Sequence, residues 1–258
     1  MIKQVLTFTR LLIISGLLSL AADASAQKND TLQKYLDQQL RFTSRSKGYF
    51  PAAAIRTNDA WFVKAMYPDT TVLLIAWFKD KNLRIKNGPY TLFHRKNIKG
   101  VEGNFVNNVA QGTWKYYYLD GRLKDSGTLV NNVMVGTWMS WDQQGQLISR
   151  ISYEEKPSRP AINDGSKESS ALPGATPTPG MREGLSIGYH PNGQLKDSGA
   201  YTANVRTGLW KQWHPNGQLD AVGNVVMDKA DGDWNYYREN GIKSTDESYK
   251  AGKLTSMT

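Results

Sequence analysis

Short apolar runs alternate with polar turns along most of this chain, and the alternation keeps a fixed period. Units start at Gly88, Gly112 and Gly136, and again at Gly184, Gly208 and Gly232, with a spacing of 24 residues inside each group of three. The sixth residue of every unit is aromatic: Phe93, Tyr117, Trp141, Tyr189, Trp213 and Tyr237. Aromatic residues make up 11% of the chain, so six in six positions is not an effect of composition. The third residue is Tyr90, Trp114, Trp138, Ser186, Trp210 or Trp234. The tenth is glycine in five units (Gly121, Gly145, Gly193, Gly217 and Gly241) and Asn97 in the first. Leu123, Leu147, Leu195 and Leu219 stand twelfth in the four central units. Recurrence of this kind marks a repeat architecture.

Each unit predicts a β-hairpin. Runs such as Thr113–Tyr118 are rich in residues that fit a pleated surface. Asp120-Gly121, Asn192-Gly193, Asn216-Gly217 and Asn240-Gly241 are turn dipeptides, because glycine accepts positive φ without a steric penalty. In His190-Pro191-Asn192-Gly193 and its copy at 214–217, proline suits the second position of a type I turn and the glycine suits a following bulge. A three-residue loop of that kind pairs the sixth residue with the twelfth, which places an aromatic and a leucine together on one face. Strict alternation puts the third-residue tryptophan on the other face. Either both faces carry aromatics, or a bulge rotates one set. The sixteenth-position glycines Gly103, Gly127, Gly199 and Gly223 mark such a bulge or leave room for a neighbouring indole. Six units of two strands predict a mainly β fold, an elongated antiparallel meander of tandem 24-residue hairpins.

The ends of the chain differ from its middle. Residues 1–26 carry Lys3 and Arg10, an apolar core over Leu11–Leu20 and the small-residue pattern Ala24-Ser25-Ala26, which together predict a cleaved export signal. Residues 27–87 hold a helix over 27–45, with Leu32, Tyr35, Leu36 and Leu40 on one face, followed by leading strands at Trp61–Met66 and Val72–Phe78. The helix is expected to cap the first edge of the sheet. Hairpin repeats fill 88–153 and 184–254. Between them, 154–183 contain five of the ten prolines and no aromatic residue, the composition of a flexible linker or loop. Two arrangements fit this segment: a loop on one continuous sheet, which we favour, or a tether between separate modules.

Composition narrows the chemistry. The chain has no cysteine, which excludes disulfides, thiolate metal sites and a lipidated cysteine anchor. Beyond residue 26 there remain 30 basic and 22 acidic residues, a net charge of +8. That excess favours anionic surfaces, but it is scattered rather than gathered into a run. The histidines number three, and of these His190 and His214 recur before the Pro-Asn-Gly turns with no acidic cluster beside them. Asp125-Ser126 and Asp197-Ser198 recur without a histidine to serve as base, so the repeat explains them before catalysis does. The expectation is therefore a chain that is not an enzyme, uses no cofactor or metal, and does not bind nucleic acid. Its binding residues are expected to be an exposed aromatic strip of Trp114, Tyr116, Tyr118, Trp138, Trp210 and Trp234.

The unit Gly-x-Trp-x-x-Tyr-x-x-Asn-Gly-x-Leu-x-x-x-Gly, seen most fully at Gly208–Leu219, resembles the bacterial variant of the MORN repeat (membrane occupation and recognition nexus). The resemblance covers 88–153 and 184 to about 252, and more loosely 60–87. It implies a hairpin-repeat scaffold that contacts proteins or membranes, with no catalytic residues. Proteins of this kind are often labelled antitoxin components, a label that sits badly with an export signal. The expected role is an exported scaffold in the periplasm, on the outer surface or in the medium, binding a protein partner of the cell envelope. Carbohydrate or peptidoglycan, and an anionic lipid surface, are the alternative ligands.

Overall fold

The computed structural model describes residues 30–157 and 177–258. The export signal read over 1–26 and residues 158–176 of the interrupting segment lie outside the described residues. The chain divides into two compact units that meet in sequence at Val109/Ala110.

The first unit contains β1 (Thr31–Leu36), β2 (Phe42–Thr43), β3 (Phe50–Thr57), β4 (Ala60–Met66), β5 (Val72–Phe78), β6 (Lys86–Phe93) and β7 (Lys99–Val106). From β3 to β7 each strand pairs antiparallel with the next, while β1 pairs with both β2 and β3. One face carries cross-strand rows of buried residues. Ala52, Ala65, Leu74, Leu92 and Val101 form one row, and Ala54, Val63, Ala76 and Tyr90 another. β4 shows the cause most simply: in Ala60–Met66 the buried residues Trp61, Val63 and Ala65 alternate with partly exposed ones.

Over 30–45, the described part of the helix expected over 27–45, no helix forms, and β1 occupies its place. The helical spacing of Leu32, Tyr35 and Leu36 is real, but a helix in a protein draws most of its stability from tertiary packing rather than from its own spacing. As a strand, the segment gains a ladder along β3, from Thr31↔Ile55 to Leu36↔Phe50. Leu36 is fully buried. Leu40, the last member of the supposed helical face, has φ +59 and belongs to the turn after β1.

The repeat that starts at Gly88 supplies β6 and β7 of the first unit, while the second unit holds the repeats from Gly112 onward and forms the expected antiparallel meander. It runs through β8 (Val109–Tyr117), β9 (Leu123–Val130), β10 (Val133–Trp141), β11 (Leu147–Pro157), β12 (Gly180–Tyr189), β13 (Leu195–Thr202), β14 (Val205–Trp213), β15 (Leu219–Val226), β16 (Lys229–Tyr237), β17 (Lys243–Lys250) and β18 (Lys253–Met257). β11 pairs with β12 across the interruption, for example Ser149↔Gly188 and Ile151↔Ser186. Within this unit the two blocks of hairpins are therefore one sheet. Strand pairing reaches into both ends of 154–183, and Thr178 makes a parallel bridge to Val133 on β10.

Candidate functional site

Two kinds of turn hold each hairpin in register. At the first, the sixth residue does face the twelfth: Tyr117↔Leu123, Trp141↔Leu147, Tyr189↔Leu195 and Trp213↔Leu219. The turn glycines Gly121, Gly145, Gly193, Gly217 and Gly241 have φ between +78 and +88. In the His214 turn, Gly217 N–H donates to the His214 carbonyl at 2.9 Å and His214 N–H to the Gln218 carbonyl at 2.8 Å, which closes a three-residue loop.

The second turn joins one unit to the next and places two residues at positive φ: Asn131-Asn132, Ala203-Asn204, Met227-Asp228 and Ala251-Gly252. The second residue of the pair also ties neighbouring units together. Ala110 N–H donates to Asn132 Oδ1 at 2.7 Å, Arg182 N–H to Asn204 Oδ1 at 2.8 Å and Arg206 N–H to Asp228 Oδ1 at 3.0 Å. Lys86 N–H and Asn108 Oδ1 repeat the bond in the first unit at 2.7 Å. Sequence reasoning passed over these residues, although the 24-residue spacing from Asn108 to Asn132 and from Asn204 to Asp228 was there to be seen.

The opposite turns carry a second set of struts. Tyr118 donates its hydroxyl hydrogen to the Trp141 carbonyl at 2.8 Å. His190 Nε2 lies 2.7 Å from the Trp213 carbonyl and His214 Nε2 lies 2.8 Å from that of Tyr237. A carbonyl oxygen only accepts, so each Nε2 carries its hydrogen and offers no lone pair to a metal there. Among the described residues no group of three or more histidine, aspartate or glutamate side chains is placed to hold a metal ion. Asp125 accepts the Ser140 hydroxyl at 2.6 Å, which makes it a cross-strand brace rather than part of a nucleophilic pair.

The tryptophans expected on an open face are inside. Trp114 is fully buried and Trp138, Trp210 and Trp234 are nearly so. The cause is a bulge at the first residue of the unit. Gly136 and Gly208 have φ of +63 and +70, and the ladder to the preceding strand skips there, from Val135↔Thr128 to Met139↔Ser126 and from Thr207↔Ala200 to Lys211↔Ser198. The following indole then lies flat on the sixteenth-position glycine of the preceding unit. A Cβ built on Gly127, Gly199 or Gly223 would stand 2.2 Å from the ring of Trp138, Trp210 or Trp234. So the glycine makes room for the indole, and the bulge sits elsewhere in the unit. Trp138 and Trp234 also donate Nε1–H to the carbonyls of Thr128 and Asn224, at 3.1 and 3.0 Å. Tyr116 and Tyr118 are partly buried beside this interior. Burial, with Asp125 nearby, raises the Tyr116 hydroxyl well above the usual tyrosine range.

Three residues from the third-position tryptophan, and so on the other face, stands the sixth-residue aromatic. Tyr117, Trp141, Tyr189, Trp213 and Tyr237 are all partly exposed. They recur as a row across successive hairpins, each one step past a register shift in its ladder. Next to it, at the second position of two adjacent units, Leu185 and Leu209 are 55% and 57% exposed. Lys196 and Lys211 are exposed on the same face. An apolar centre with a basic margin is the composition of a recognition surface. The exposed groups of the second unit include this row, whereas the third-position tryptophans are buried.

Stacked hairpins with internal struts, a filled interior and a repeated outer row define a repeat scaffold. Residues 182–201 and 206–226, the two hairpins that carry Leu185 and Leu209, each match the family model described as MORN repeat variant. No curated protein matches the chain.

Proposed function

We propose that this chain is an exported, non-catalytic repeat scaffold that holds a protein partner of the cell envelope on the outer row of its second unit. The observation that carries this reading is the pair of exposed leucines, Leu185 and Leu209, beside Tyr189 and Trp213 in the two hairpins that match the repeat family. Repetition favours a strip of modest contacts over a single pocket. Aromatic side chains such as Tyr189 and Trp213 at the centre of such a strip supply most of the affinity. The charged start, apolar core and Ala24-Ser25-Ala26 of residues 1–26 support a location outside the cytoplasm.

The test is affinity capture from the envelope fraction with the wild-type chain and with Leu209→Asp and Trp213→Ala. Both variants should melt close to the wild type, because neither side chain belongs to the buried set, and both should lose most of the captured partner. Retention of the same partner by both variants would sink the reading. Intact-mass measurement of the chain from that fraction should give a species starting at Gln27. Full-length chain in the cytoplasm would overturn the export half alone.

A further inference from the structure

The core face of the first unit is not closed along its whole length. The cleft on it has a volume of 680 Å³, within the usual range for small-molecule sites. Its floor is apolar and includes Leu74, Phe78 and Tyr90, all buried, and Phe42 folds over one end with its ring 5.5 Å from that of Phe78, edge to face. Four cations line it: Lys34, Arg41, Arg84 and Lys86. No aspartate or glutamate lines it among the described residues.

Two of these cations stand where a sheet ordinarily places apolar groups. Lys34 pairs with Ala52 and Lys86 with Phe78, so both share the face of the core rows. A lysine turned inward on an edge strand can discourage strand addition, and Lys34 on β1 could be read so. Lys86 cannot, because β6 is covered by β5 and β7. Its ammonium lies 4.9 Å from the centre of the Phe105 ring and 5.9 Å from that of Tyr90. Burial lowers its pKa, the direction expected of a cation held away from water. Aromatic faces offset only part of that desolvation. Arg41, by contrast, already has Asp37 as partner at 2.9 Å.

The turns that frame the cleft are also unusual. Leu40 and Leu83 have φ +59 and +57 in loops where the repeats use glycine, and both line the cleft. Bulky residues in the left-handed region persist only where the surroundings hold them.

We propose that this cleft binds an organic anion with an apolar body, its carboxylate or phosphate set between Lys86, Lys34 and Arg84 and its aliphatic or aromatic frame on Leu74, Phe78 and Tyr90. A free amphiphile and a lipid headgroup share that chemistry. The probe is decanoate, titrated calorimetrically into the full chain, with decanol and inorganic phosphate as controls and phosphatidylglycerol vesicles as a separate arm. Decanoate should bind once per chain, with decanol and phosphate each at least tenfold weaker. Lys86→Met should weaken decanoate at least tenfold, and Arg84→Gln, an exposed position with no bearing on folding, at least threefold. Saturable decanoate binding without vesicle binding assigns a free ligand, whereas vesicle sedimentation lost in both variants assigns a headgroup. Decanol binding as tightly as decanoate, or unchanged affinity in both variants, overturns the site. The outer row of the second unit takes no part, so Leu209→Asp should leave decanoate binding unchanged.

Discussion

Alanines line the core face of the first unit where indoles line that of the second. Ala52, Ala54, Ala65 and Ala76 are buried in the first, and the bulk there comes from Leu36, Phe50, Trp61, Phe78 and Leu92, residues at no common spacing. In the second unit the bulk of the interior comes from one pattern, an indole on a glycine, repeated as Trp138 on Gly127, Trp210 on Gly199 and Trp234 on Gly223, with Leu129, Ala221 and Val225 between. A sheet that fills its own face with tryptophan leaves nothing for another element to cover. A sheet faced with alanine leaves depth above it, part of which Phe42 fills and part of which is the cationic cleft. The first unit thus leaves an open cleft on its core face, whereas the interior of the second is filled by its own side chains.

The sharpest way to break this contrast is to remove one indole. Trp114 is 0% exposed, so Trp114→Ala should destabilise the chain by about 3–5 kcal/mol, the usual cost of deleting a large buried aromatic. A melting curve followed by circular dichroism measures it. A fall of less than about 1 kcal/mol would mean that the interior of the second unit is not carried by its indoles.

That dependence explains what was legible in the sequence and what was not. Period, turn type and the pairing of Trp213 with Leu219 follow from local chemistry, glycine and asparagine at set offsets, and the chain displays them directly. Which face is buried does not follow. Alternation alone separates Trp210 from Trp213, but the choice between them rests on the positive φ of Gly208 and on the bare backbone of Gly199 in the preceding hairpin. The sixteenth-position glycine hinted at this without deciding it. In the first unit the helical spacing of Leu32, Tyr35 and Leu36 was a true local signal that lost to the ladder with β3, a contact between segments with no shared period. The cleft was hidden for the same reason, since Lys34, Arg41 and Lys86 converge only through the pairings of β1, β2 and β6.

The turns allow a finer comparison. Leu83 takes the position that glycine takes in the second unit, with its N–H bonded to the Asp80 carbonyl at 3.0 Å as that of Gly121 is to the Tyr118 carbonyl at 2.9 Å. Its side chain is 4% exposed. Leu83→Gly relieves a left-handed backbone strain of about 1 kcal/mol but removes a buried leucine, so it should destabilise by about 2 kcal/mol net. Denaturant unfolding gives the value. A neutral or stabilising result would show that the leucine does not pack under the cleft.

The smallest effect has the opposite sign. Thr70 holds the same turn position with φ +70, its N–H bonded to the Tyr67 carbonyl at 2.9 Å, but its side chain is exposed. Glycine there keeps the backbone bond and sheds the clash between Cβ and the following carbonyl, a gain of about 1 kcal/mol. Against this stands the extra freedom that glycine gives the unfolded chain, a cost of about 0.5 kcal/mol. Thr70→Gly should therefore stabilise the chain by about 0.5 kcal/mol, and Gly121→Thr, the reverse change in the second unit, should destabilise it by about as much. Unfolding of the two variants in urea checks both signs at once. If Thr70→Gly destabilised the chain while Gly121→Thr did nothing, the turns of the two units would not be equivalent. The strain at Leu40 and Leu83 would then have to be explained from the first unit alone.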